Sequence, residues 1–121
     1  MPVVLLQYQT KLLGRIAAKL AQALPAIVAP ELAINNRDRG DGGLVAEDII
    51  VRCVEGGLGD VNSKEIEIII FAHDFPERKT NLEERKNTII AGVREFFVKE
   101  DFRGVTGFVW VMLMPTAFGE L

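Results

Sequence analysis

The residues best suited to chemistry open the chain. Met1 precedes Pro2, and removal of an initiator methionine before so small a residue leaves Pro2 with a free secondary amine. The α-amino groups of model peptides titrate near about pH 8. Burial and nearby cations both disfavour the ammonium form and draw that value toward neutrality, where a general base works best. Arg52 is the second candidate. It falls in the β-favouring run DIIVRCVE (48–55), where Ile50, Arg52 and Val54 share one face, and a charge on such a face needs a reason. A guanidinium stays charged and holds a carboxylate through paired hydrogen bonds. The alternatives for Arg52 are solvent and a salt bridge between subunits.

His73 and Asp74 follow one another at the end of another such run, IEIIIFA (66–72). Adjacent strand residues point to opposite faces, so the two cannot act as a dyad without a turn. A hydrogen-bonded structural histidine is the expectation. One histidine and one cysteine, Cys53, leave no cluster with zinc-ligand spacing and no internal disulfide. EGGLG (55–59) lacks the spacing of a phosphate-binding fingerprint. No metal, nucleotide or flavin cofactor is expected.

The elements that must carry these residues can be read from periodicity. Val3–Tyr8 (VVLLQY) is an apolar run too continuous for a half-exposed strand, which makes strand one internal. Leu12, Leu13, Ile16, Ala17, Leu20, Leu24 and Ile27 recur at spacings of three and four, opposite Lys11, Arg15, Lys19 and Gln22, and predict an amphipathic helix. Pro25 should kink or end it, with Pro30 already beyond regular structure. The polar, glycine-rich stretch 35–43 is a loop, either a lid or a plain connection. It contains Arg37 and Arg39, and an Arg-Gly-Asp triplet that carries no weight. Strand two (48–55) and strand three (66–72) are expected to form a loose hairpin. Thr80 and Glu83 match a capping box that starts helix two, with Leu82, Lys86, Ile89, Ile90, Val93, Phe96 and Phe97 along one stripe. Phe108–Met114 (FVWVMLM) is strand four, apolar on both alternating faces, ended by Pro115.

The order β-α-β, β-α-β defines an α+β chain, with one domain over residues 1–121 in two halves (about 2–62 and 63–121). It is the split-βαβ arrangement, a four-stranded sheet with two helices on one face. Strands one and four need cover on two faces, and two helices supply only one. The remaining face is expected to meet other subunits. A length of 121 residues suits one core. A net charge of −3 gives no electrostatic pull toward nucleic acid or anionic membrane. With no secretory signal and no apolar run long enough to span a bilayer, the cytoplasm is the expected location. The mean hydropathy of +0.20 is high for one small core and points again to subunit contacts.

Met1-Pro2 leading into a short strand, then two consecutive βαβ units that include IEIIIFAHDFPERKTNLEERK (66–86) and FVWVMLMP (108–115), resembles the tautomerase superfamily. That superfamily includes 4-oxalocrotonate tautomerase, the carboxymethyl-hydroxymuconate isomerases, the macrophage migration inhibitory factor family and the 3-chloroacrylate dehalogenases. The resemblance implies a homotrimer in which Pro2 is the catalytic base. It implies a small 2-keto or unsaturated carboxylic acid as substrate, bound by arginine. Arg52 is similar in position to a carboxylate-binding arginine of the family. Arg78, just before helix two, has a similar place, with a solvated loop arginine as its alternative. Arg37 and Arg39 are weaker candidates of the same kind. Trp110 and Met112 share a face of strand four and either wall the pocket beside Pro2 or serve as plain packing. Met112 stands where some dehalogenases use tyrosine, which tells against their water-activating chemistry. Glu120 falls near the acidic partner of that branch. The resemblance thus implies an isomerase of the keto–enol type, with a proline-dependent hydratase or dehalogenase as the rival enzyme and a non-catalytic trimeric binding module as the rival outside catalysis.

Overall fold

Strand β1 (Val3–Tyr8) is the second of four strands in a mixed sheet of order β2-β1-β3-β4. A computed structural model of the protein describes residues 2–9, 11–34 and 43–121, with the side chains of 11–13 outside the description. Arg37 and Arg39, and with them nearly all of the glycine-rich stretch, fall outside the described residues. Strand β1 runs parallel to β2 (Ile50–Glu55) and antiparallel to β3 (Ile66–His73), and β3 is parallel to β4 (Gly107–Met114). The expected hairpin of strands two and three is therefore not formed, because β1 lies between them. A strand returning from a helical crossover pairs parallel with the strand that entered it. The largely apolar β1 takes the interior position, and β2, which carries Arg52 and Glu55, takes an edge.

Both main helices lie on one face of this sheet. Helix α1 (Lys11–Leu32) buries Ile16, Ala17, Leu20, Leu24, Val28 and Leu32 against Val4 and Leu6 of β1 and the even-numbered face of β3, Ile66, Ile68, Ile70 and Ala72. Pro25 and Pro30 are inside α1 rather than at its end. An interior proline costs about 3 kcal/mol. Burying an aliphatic side chain returns about 1.5–3 kcal/mol, and Val28, Ala29 and Leu32 lie beyond Pro25 in the core, so continuing the helix wins. A 3₁₀ turn (Ala46–Asp48) leads into β2. A short helix α2 (Pro76–Thr80) precedes α3 (Leu82–Lys99), which buries Ile89 and Val93. The capping box is absent. The Thr80 hydroxyl donates backward to the Pro76 carbonyl at 3.1 Å within α2, a competing local bond open to threonine. Asn81 stands at the N-cap of α3 and accepts from Arg85 Nε at 2.7 Å. Among the described residues no helix is long and apolar enough to cross a membrane.

The other face of the sheet is uncovered in the single chain. Strand register aligns three rows on it: Ile50–Val3–Phe71–Met112, Arg52–Leu5–Ile69–Trp110 and Val54–Gln7–Glu67–Phe108. Phe108, Trp110, Met112 and Met114 are all exposed, Trp110 at 53%. One apolar face of β4 thus packs under α3, while the other stays largely open, with Lys64 over the Phe108 ring.

The junction of β3 and β4 depends on one glycine. A Cβ on Gly107 would sit 2.2 Å from the Ile66 carbonyl oxygen, a backbone atom that cannot swing aside. Gly107→Ala is expected to destabilise the fold by about 1–3 kcal/mol in urea unfolding. Gly59→Ala, where nothing lies within 4 Å, is expected to stay within about 0.5 kcal/mol of wild type.

Candidate active site at the amino-terminal end of β1

Pro2 stands immediately before β1 and is fully buried. Its carbonyl accepts the Ile50 N–H at 3.2 Å, tying the chain start to β2. Extending the β1–β3 register by one pair from Val3–Phe71 sets Pro2 beside Ala72, and the next position falls on His73. In proline the ring Cδ occupies the place of the amide hydrogen. The valence freed by removing Met1 therefore points along the extension of β1, toward the level of His73.

Several elements converge at this end of the sheet. The His73 ring nitrogen Nδ1 is 2.8 Å from Thr116 Oγ1, in the segment after β4. The imidazole meets the Phe75 ring edge-on with centroids 4.4 Å apart. The Asp74 N–H donates to the Met114 carbonyl at 3.2 Å. Asp74 itself is ion-paired with Lys79 at 2.9 Å, so the two residues of the His-Asp pair face different partners.

Arg78 is the only charged or polar residue fully buried among those described, at 0% exposure. Its Nε donates to the Leu32 carbonyl at the end of α1 (2.9 Å) and Nη1 donates to the His73 carbonyl (3.0 Å). Its guanidinium lies 5.1 Å from the Phe75 ring centroid. Arg85 does the same work nearby, donating to the Glu31, Ala33 and Glu77 carbonyls. The last carbonyls of a helix lack intrahelical partners, and these two arginines supply them for α1. Arg78 is thus no solvated loop residue. Two of its donor groups are committed to backbone, one of them to the His73 carbonyl at the end of β3.

The other sequence candidates lie elsewhere. Arg52 is exposed on the uncovered face of edge strand β2, in the same row as Trp110 and separated from it by Leu5 and Ile69. Four strands in a row set the two about 14 Å apart, and their row is roughly 10 Å along the strands from Pro2. Met112 lies one row closer, level with Val3. Glu120 is exposed near the chain end. Within one chain the fold therefore gathers His73, Thr116 and Arg78 at the end of β3 that the register sets beside Pro2, and places Arg52 and Trp110 farther along the sheet. Sequence reasoning missed the place of His73. The signal was present: an antiparallel partner to β1 ending in histidine meets the start of β1.

A polar cleft of about 400 Å³ opens at the opposite end of β1, lined by Gln7, Gln9, Glu55, Gly57, Asp60 and Ser63 among others. A full strand separates it from Pro2.

No family model matches the sequence, and no curated protein matches it. Solved structures do. The R7 fused 4-OT wild-type asymmetric trimer is 16% identical, with 98% of this chain and 91% of that chain covered and a TM-score of 0.62. The F6 fused 4-OT wild-type asymmetric trimer is 18% identical over 98% and 91%, with a TM-score of 0.61. Pt0534 inactivated by 2-oxo-3-pentynoate is 14% identical over 98% and 90%, with a TM-score of 0.57. At these identities the likeness is one of backbone architecture, and by that measure this chain has the fold of the fused 4-OT proteins.

Proposed function

We propose that this protein is an N-terminal-proline tautomerase acting on a small 2-keto or unsaturated carboxylic acid. Neutral Pro2 moves a proton between carbon and oxygen next to a carbonyl, and arginine holds the substrate carboxylate. The observation that carries the reading is Pro2 itself. It is fully buried at the head of a central strand, and the Arg78 guanidinium is hydrogen-bonded to His73 at the next level. Desolvation and a nearby cation both favour a neutral amine. The tautomerase fold supports the reading in general terms.

Assembly belongs to the same proposal. The fused 4-OT proteins it resembles are described as trimers, and the exposed apolar rows on the open face of this sheet suit burial against further copies. In such a trimer Arg52, Trp110 and Met112 face neighbouring subunits, where Arg52 can serve the site of another copy. Sedimentation equilibrium is expected to give a trimer for the wild type. The double variant Trp110→Glu, Met112→Glu is expected to be monomeric, because like charges would be buried on the shared face. A monomeric wild type would leave the open face unexplained.

Intact mass and enol turnover test the activity. The mature protein is expected to lack Met1 and carry no acetyl group. It is then expected to speed ketonisation of phenylenolpyruvate. The ynone 2-oxo-3-pentynoate, which inactivates Pt0534, is an electrophile toward a neutral amine and is expected to add to the peptide beginning at Pro2. Retained Met1, or an enzyme inert to enolisable keto acids, removes the proposal.

A further inference from the structure

His73 is the sole histidine of the chain, and the fold spends several interactions on placing it. Arg78 donates to its carbonyl, and the Phe75 N–H donates to the same oxygen at 3.0 Å. Thr116 bonds Nδ1 and Phe75 abuts the ring. Backbone and imidazole are thereby both oriented, and Nε2 makes no hydrogen bond among the described residues. The register sets His73 at the level directly beyond Pro2, toward which the freed valence of the Pro2 amine points. The His73 side chain shares the open face of β3 with Ile69 and Phe71. A substrate entering at the head of β1 would therefore meet amine and imidazole together.

We infer that His73 is a second proton-transfer residue of the Pro2 site, an inference that rests on the proline-tautomerase reading. In ketonisation, neutral Pro2 takes the enol O–H proton, and the O–H pair becomes the carbonyl π bond. His73, protonated at Nε2, gives that proton to the enol carbon as the C=C π pair forms the new C–H bond. Product leaves with Pro2 protonated and His73 neutral. One proton transfer from Pro2 to His73, direct or through a water molecule, restores the starting state with no net proton gained or lost. Imidazole suits the task because it serves as both acid and base.

The unique imidazole makes the placement measurable without turnover. The His73 Cε1–H resonance is recorded by NMR in the processed protein before and after carbamylation of the Pro2 amine with cyanate. An imidazole at the level of that amine is expected to show a moved resonance in the carbamylated protein. An unchanged resonance overturns the inference.

Kinetics test the role. His73→Asn keeps a group to pair with Thr116 and loses the titrating ring. Its kcat on phenylenolpyruvate is expected to fall by about 10²-fold, with KM within about twofold and one limb of the kcat–pH profile gone. Labelling of Pro2 by 2-oxo-3-pentynoate checks that the variant is folded. A wild type dependent on Pro2, combined with His73→Asn at full rate and an unaltered pH profile, overturns the role of His73 alone. A wild type inert to keto acids overturns the proline reading and the role of His73 with it.

Discussion

Pro2→Ala is expected to lower ketonisation of phenylenolpyruvate by about 10²–10⁴-fold, the range a positioned general base contributes. Alanine keeps a terminal amine, so the variant asks what the ring supplies. The ring fills the fully buried position that Pro2 occupies, fixes the backbone angle at the strand head and directs the nitrogen along β1. A primary amine there has more rotational freedom, and a methyl side chain leaves part of the pocket open to water. Water restores solvation of the ammonium form and raises its titration point. The loss is expected mainly in kcat, because the arginine proposed to hold the carboxylate is untouched. Addition of 2-oxo-3-pentynoate at the chain start is expected to slow in parallel. Full activity in Pro2→Ala would show that the proline is not the base.

Arg78→Met is expected to cost about 2–5 kcal/mol of stability. Methionine approximates the volume of the arginine stem but donates nothing, so the Leu32 and His73 carbonyls lose bonds of 2.9 and 3.0 Å. A buried acceptor left without a partner costs about 1–3 kcal/mol, which falls on the Leu32 carbonyl; the His73 carbonyl keeps the Phe75 N–H and loses one charge-assisted bond of about 1.5–3 kcal/mol. The total is a large share of the roughly 5–15 kcal/mol that holds a small domain together. Lys79→Met is the control. Its ion pair with Asp74 has a mostly exposed lysine, at 61%, and exposed pairs contribute about 0–1 kcal/mol. Urea unfolding of both variants separates the cases. Equal, small losses would show that Arg78 is not needed to close the end of α1. Arg78→Met is also expected to slow the ynone at Pro2, because it removes both the cation and the bond to His73.

Single-residue periodicity was enough to place the strands and the long helices. β1 was legible to the residue because VVLLQY is apolar on both faces, and the buried stripe of α1 was legible because its spacing follows the helix repeat. The open apolar face followed from simple geometry: two helices cannot cover two sides of one sheet. Local signals misled where tertiary contacts outweighed them. Pro25 and Pro30 stay within α1 because Leu24, Val28 and Leu32 continue one core face across them. Thr80 and Glu83 have the spacing of a cap, yet Thr80 bonds back to Pro76 inside a helical turn that its sequence did not announce.

The site divides in the same way. Pro2 could be proposed from the sequence because a secondary amine freed by removal of an initiator methionine is a local, covalent property. That Pro2 is buried, and that the end of β3 with His73, Thr116 and Arg78 lies at its level, depends on the pairing of strands distant in the chain. No local pattern encodes an antiparallel register between β1 and β3, since register is set by which faces are buried and which loops close. The burial of Arg78 is likewise a long-range fact, created by carbonyls at the end of α1 that need donors. Sequence alone determined which groups could react, and the tertiary structure decided which of them stand together.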